Sequence, residues 1–158
     1  MSAVFDCAVS IMVAPNGARR GKHDHRAIPL TPAEIAAEAV RCRDAGAAML
    51  HLHVRDADAR HSLDPGLYRE AIAAVREACN LVIQPTTERV GVFAPADMMR
   101  VGRELEPEMM SLNLTELLGE GSEAERDAAR DFLAELAALG TVPQYIVYNH
   151  DELATLRD

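Results

Sequence analysis

Short apolar runs alternate with capped helix starts along the whole chain, and this alternation narrows the possible folds more than any other feature. Ala3–Val13 (A-V-F-D-C-A-V-S-I-M-V) is a β-prone run, and Thr31-Pro32-Ala33-Glu34 then opens a helix. Thr31 is the N-cap, Pro32 takes the first helical position, and Glu34 closes a capping box. The helix is expected to run to about Ala45, with Ile35, Ala39, Val40 and Cys42 inward, before Gly46 stops it. Met49–Asp56 is the second strand, followed by a helix from Asp64-Pro65 to about Ala78. Leu81–Gln84 is a third, fully apolar strand, and Ala94-Pro95-Ala96-Asp97 starts a helix to about Leu105. Glu108–Leu114, a helix over Ser122–Leu139, Val142–Tyr148 and a last helix from Asn149 complete the series.

Strands and helices that alternate at roughly 30 residues per unit demand a parallel sheet with right-handed crossovers. No G-x-G-x-x-G or G-x-x-x-x-G-K-[ST] follows a strand, so neither a dinucleotide fold nor a P-loop is supported. The unit length suits a (β/α)8 TIM barrel, but eight units take about 250 residues. The 158 residues here hold five. The expected fold is therefore α/β, of the barrel family, with about the first five β/α units in a single partial domain over residues 1–158.

Parallel strands gather their C-terminal ends on one side, where sites form. The densest chemistry falls on M-L-H-L-H-V-R-D, residues 49–56. Side chains alternate along a strand, so His51, His53 and Arg55 share one face while Leu50, Leu52 and Val54 share the other. Two imidazoles about 7 Å apart along a strand face either ligate a metal or stand as core histidines satisfied by backbone. Zinc catalysis takes three protein ligands and one open position, and Glu88 is a weaker third candidate. Other strand ends contribute Ser10, Thr86, Thr87, Ser111, Asn113, Tyr148 and Asn149, each of which also serves as an ordinary cap or turn former. His51 and His53 are the candidate metal ligands, Arg55 and Thr86 the candidate catalytic side chains, and Ser10, Thr87, Ser111 and Asn113 the candidate substrate contacts. The polar loop Ala14–Ile28 is too long for a simple connector, and its His23 and His25 are expected in solvent.

The net charge of −9 argues against nucleic acid and anionic membrane as partners. With no long apolar span and no basic leader, the cytoplasm is the expected location. Cys7, Cys42 and Cys79 are widely spaced and read as reduced thiols. An unpaired fifth strand needs cover, and a homo-oligomer is the expected form.

The string L-T-P-x-E-I-A-x-E-A-V-R-C-R-D-A-G-A-A-M-L-H-L-H-V-R-D, with D-P-x-L-Y-R-E-A-I-A-A-V-R-E, L-V-I-Q-P-T-T, E-P-E-M-M-S-L-N-L and V-P-Q-Y-I-V-Y, resembles the β-keto acid cleavage enzyme family. That family includes the 3-keto-5-aminohexanoate cleavage enzyme of lysine fermentation. The resemblance implies a zinc-dependent TIM barrel that condenses a β-keto acid with acetyl-CoA to give acetoacetate and a new acyl-CoA. It places His51 and His53 as zinc ligands, Thr86 against the substrate carboxylate, and Ser111 and Asn113 in the pocket wall. It also implies a third, acidic zinc ligand beyond Asp158. Three departures stand out. Glu88-Arg89 replaces a pair of glycines, Ser10-Ile11-Met12-Val13 replaces a segment ending in glutamate, and Ile146 stands where the family has an inward glutamate. A half-barrel without its acidic ligands could instead serve as a non-catalytic metal-binding or assembly module, and the Glu88-Arg89 and Ile146 departures motivate a further alternative, a zinc lyase or hydrolase acting on another β-dicarbonyl acid.

Overall fold

Thr31 accepts the Glu34 N–H at 3.3 Å while the Glu34 carboxylate accepts the Thr31 N–H at 3.2 Å, so helix α1 (Pro32–Asp44) starts from a closed capping box. The same logic sets the other main helices of this computed structural model, which describes residues 9–157. Asp64 caps α2 (Pro65–Ala78), and Asp97 accepts the Ala94 N–H at 2.9 Å at the start of α3 (Pro95–Leu105). Ser122 and Glu125 form a second capping box at α5 (Glu123–Leu139), which ends on left-handed Gly140. The chain finishes in α6 (His150–Arg157). None of these helices is long and apolar enough to cross a membrane.

The architecture is α/β. β1 (Met12–Val13), β2 (Met49–Leu52) and β5 (Val82–Pro85) form one parallel sheet. β6 (Met109–Asn113) and β7 (Val142–Ile146) form a second parallel pair. No ladder joins β5 to β6, but the strands lie side by side, and the Thr87 hydroxyl donates to the Ser111 carbonyl at 2.8 Å. Across the gap, Gln84 on β5 donates to Gln144 on β7 at 2.8 Å. Strands two places apart lie about 9.5 Å distant, a gap that two glutamine side chains on the same face can bridge. His51 shares that face, in register with Gln84. Leu50, Leu52, Ile83, Met110 and Leu112 pack the strands against Ile35, Tyr68, Val75, Met98 and Phe132 of the helices. Each such buried side chain stabilises the fold by about 1.5–3 kcal/mol.

Three elements differ from expectation. The first strand was expected over Ala3–Val13; residues 1–8 lie outside the described part, and of the remainder only Met12–Val13 is strand. The second strand breaks at His53, because the Asn16 side chain takes the His53 carbonyl at 2.9 Å and removes it from the ladder. The chain then forms a small antiparallel hairpin, β3 (Val54–Arg55) with β4 (His61–Ser62), closed through Ala59 at φ 60°. The fourth strand ends at Asn113, whose side chain accepts the Glu116 N–H at 2.9 Å and caps the short helix α4 (Leu114–Leu118). Cys42 is half-buried and Cys79 buried, both as free thiols, while Cys7 lies outside the described residues.

Candidate active site

A cavity of about 500 Å³ opens at the C-terminal ends of the parallel strands. His51, Thr86, Thr87, Ser111 and Asn113 all line it, together with Arg19, Glu88, Glu116, Ile146 and Tyr148. Five of the eight candidate residues therefore meet at one opening, drawn from three strands and the turns after them.

His51 lines this cavity, and His53 lies outside the lining but in contact with it. The Nε2 atoms of the two imidazoles approach to 3.1 Å, with the rings edge to face. Gln84 donates its amide to Gln144, so its oxygen faces His51 and accepts from His51 Nδ1–H at 2.7 Å. The lone pair of His51 is thereby assigned to Nε2, pointing at His53. His53 is buried, and its Nδ1 has no partner among the described residues. Burial pushes its pKa down to about 2, and the nearby His51, His61, Arg55 and Arg19 add to the effect. The ring is neutral at physiological pH, which is the form that ligates a metal. Two nitrogens 3.1 Å apart are spaced as two ligands about 2.0–2.1 Å from one tetrahedral ion. The same spacing suits a single N–H···N hydrogen bond. Among the described residues, no group of three or more His, Cys, Asp or Glu is placed to hold a metal. The Glu88 carboxylate turns instead to Arg19, at 2.8 Å.

The hydroxyls are positioned by buried bonds. The Tyr68 hydroxyl, fully buried at the far side of the strand, donates to the Thr86 carbonyl at 2.8 Å and fixes the end of β5. The Thr86 side-chain oxygen accepts the Glu88 N–H at 3.2 Å, leaving its own proton free to donate. Asn113 spends its side-chain oxygen on the α4 cap and keeps its amide hydrogens. Arg55 faces away from this cavity. Its guanidinium donates to the carbonyls of Gly17, Ala18 and Arg20 and lines a neighbouring cleft. Ser10 is exposed and lies outside the cavity lining. His23 and His25 are exposed, as expected for a polar loop.

Three side chains at or beside the cavity escaped the sequence reading. Arg19 enters the cavity from a loop that periodicity says nothing about. Glu116 sits on α4, a helix of five residues. Gln84 looked like an ordinary residue in an apolar strand. Its place directly opposite His51 in parallel register was the one signal available.

A parallel α/β fold with paired imidazoles, hydroxyls and an amide around one strand-end cavity has the makings of an enzyme site for a small polar substrate. The sequence model of the beta-keto acid cleavage enzyme family matches residues 8–158, and the chain belongs to that family. It is 40% identical over 105 residues to a 3-keto-5-aminohexanoate cleavage enzyme of Fusobacterium nucleatum, a match covering 65% of this chain and 38% of that protein. It is 33% identical over 107 residues to a 3,5-dioxohexanoate:acetyl-CoA acetone transferase of Paraburkholderia graminis, covering 67% and 34%. A 3-oxoadipate:acetyl-CoA acetyltransferase of Cupriavidus necator is 33% identical over 104 residues, covering 65% and 36%. Each match takes in well under half of the relative's own length. Among solved structures, the binary complex of ObcA with oxaloacetate superposes with a TM-score of 0.62 at 22% identity, over 81% of this chain and 32% of that one. This last likeness is one of fold.

Proposed function

We propose that this chain is part of a zinc-dependent β-keto acid cleavage enzyme with a (β/α)8 barrel, condensing a β-keto acid with acetyl-CoA to give acetoacetate and a new acyl-CoA. The observation that carries this reading is the convergence of His51 and His53 Nε2 at the strand end where Thr86, Thr87, Ser111 and Asn113 share one cavity. The relatives' names, which pair keto acids with acetyl-CoA, support the reaction class. The parallel pairing of β1, β2 and β5 and of β6 with β7 supports the barrel, and residues 1–158 are read as a single partial domain of it.

His51 and His53 would hold the ion, with the remaining protein ligand supplied from outside the described residues. An ion held by them would supply Lewis acidity to a keto oxygen. The protein's own groups do the rest. Gln84 keeps His51 in the Nδ1–H tautomer, and burial keeps His53 neutral. Thr86 and Asn113 offer free protons to the substrate carboxylate, and Arg19 provides a cation at the cavity mouth. Ile146 makes that wall apolar where the resemblance led us to expect a glutamate, which favours an uncharged acyl substituent beside it.

Elemental analysis of the purified chain beside a His51→Ala/His53→Ala variant tests the metal. Near one zinc per chain, lost in the variant, is expected; a panel of β-keto acids with acetyl-CoA then reads acetoacetate production. Zinc absent from both proteins would remove the catalytic-metal reading. Zinc bound without turnover would favour a metal-binding assembly module.

A further inference from the structure

Three of the chain's six histidines meet at the break in the second strand. Asn16 draws the His53 carbonyl out of the ladder, the chain turns into the β3–β4 hairpin, and His61 comes back opposite Arg55. The His61 ring lies 5.2 Å from that of His53, centroid to centroid, and 5.8 Å from that of Phe93. Among the described residues, four buried side-chain nitrogen or oxygen atoms lack a hydrogen-bond partner: His53 Nδ1, His61 Nδ1, Asn16 Oδ1 and Arg55 Nε. All four belong to residues at this break. Unpaired polar atoms cost free energy in a core, so such a cluster implies that something polar joins them.

What joins them follows from which atoms carry protons. The Glu88 carbonyl can only accept, so His61 Nε2, 2.8 Å from it, carries the ring proton and His61 Nδ1 keeps a lone pair. Gln84 likewise leaves His51 with its lone pair on Nε2, aimed at His53. The one proton of a neutral His53 ring then has two places to go. On Nε2 it bonds to His51 across 3.1 Å. On Nδ1 it leaves Nε2 open, and two Nε2 lone pairs face one point between the rings. A metal requires the second arrangement, and the Nδ1–H then needs an acceptor beside a residue only 4% exposed.

Two unpartnered acceptors are at hand. Asn16 turns its amide to the Pro29 and His53 carbonyls and so serves the main chain. His61 is anchored at its far nitrogen and set edge to face against Phe93, which holds its Nδ1 in place before any ion arrives. No direct bond joins the two Nδ1 atoms, and water is the usual bridge between buried groups of opposite need. His61 is not itself placed as a ligand, since no group of three or more His, Cys, Asp or Glu among the described residues could hold an ion.

We propose that His61 is the positioning residue of the imidazole pair: through one buried water its Nδ1 lone pair takes up the His53 Nδ1–H, which leaves the His53 Nε2 lone pair for an ion shared with His51. The inference rests on the metal reading proposed above and adds the group that sets the tautomer of the second ligand.

Zinc affinity of the full chain, read by competition with a chromophoric chelator, is compared for wild type, His61→Phe, His61→Asn and His150→Gln, with circular dichroism confirming that each is folded. Phenylalanine keeps a ring against Phe93 and removes the acceptor, while asparagine returns an oxygen close to the place of Nδ1. His150, exposed on α6, controls for the loss of an imidazole as such. His61→Phe is expected to bind zinc about tenfold to a hundredfold more weakly, His61→Asn to recover most of that loss, and His150→Gln to match wild type. Nitrogen NMR of the zinc-loaded protein should show the His53 proton on Nδ1 and the His61 proton on Nε2. Zinc held as tightly by His61→Phe as by wild type overturns the inference and passes the acceptor's role to Asn16. Equal losses in His61→Phe and His61→Asn overturn it as hairpin packing alone, and a zinc-loaded His53 with its proton on Nε2 overturns it directly. A wild-type chain that binds no zinc removes the metal reading and this inference together, whereas zinc bound without regard to His61 removes this inference alone.

Discussion

Arg55 carries a permanent charge to a position only 8% exposed, with no carboxylate paired to it among the described residues. It is tolerated because its planar fork reaches three loop carbonyls at once, which a lysine's single ammonium cannot do. Arg55→Lys should therefore leave part-buried carbonyls unpaired at a cost of about 1 kcal/mol. Urea unfolding reads that loss, and trypsin should cut faster after Arg19, Arg20 and Lys22; a variant as stable and as resistant as wild type would show that the strap does not hold the loop. His53 gives the pH dependence. The unfolded imidazole takes a proton below pH 6.5, while the folded one refuses it until about pH 2. Stability is therefore complete well above pH 6.5 and falls as pH drops through it, by about 1 kcal/mol between pH 6.5 and 5.5 and towards about 1.4 kcal/mol per unit below that. His61, also held down by burial, pulls the same way. The urea midpoint of metal-free protein should drop between about pH 7 and pH 5.5, above the range where carboxylates titrate. A flat midpoint across that window would mean the histidines are not buried as described. At this scale the sequence was informative about strand residues, since alternation alone put His51 and His53 on one face. It misjudged Arg55: that residue's address at a strand end said nothing of which way a long side chain turns beyond the strand.

Helix starts were legible to within a residue, because Thr31, Asp64 and Ser122 act through bonds to their own next turn. What depends on distant partners was not. The break at His53 needs Asn16, which is 37 positions away. α4 was hidden for another reason: its Asn113 cap is local, but the strand pattern continues past it into Leu114. Close packing between elements is equally hidden. Gly102 on α3 packs against Phe132 of α5: a Cβ there would lie 2.7 Å from Phe132 Cζ and 3.2 Å from Met110 Sδ. Alanine would gain about 1 kcal/mol of helix propensity. Phe132 is fully buried and cannot swing clear, so overpacking at about 1–3 kcal/mol should win. Gly102→Ala is expected to lower the melting temperature by several degrees; an unchanged or higher value would show that the two helices can part without cost.

At the scale of the molecule, the described sheet has two unpaired flanks. β1 pairs only with β2, and β7 only with β6. Ile11 beside β1 and Val142 at the start of β7 are exposed. Strand edges with apolar side chains are templates for further pairing. Against this stands a charge of −9 on 17.2 kDa, which keeps copies apart at low ionic strength. The two effects respond oppositely to salt. Screening shortens the reach of charge from about 30 Å at 0.01 M to about 3 Å at 1 M and leaves apolar edges untouched. If edges decide the outcome, the chain's sedimentation mass should rise above 17.2 kDa as salt is raised, and Val142→Lys, which puts a cation on the edge of β7, should hold it down. A mass that stays monomeric at high salt would show that the flanks are self-protected, and would count against the homo-oligomer expected from sequence. Association unaffected by Val142→Lys would instead move the contact to the β1 side, where Ile11→Lys repeats the test.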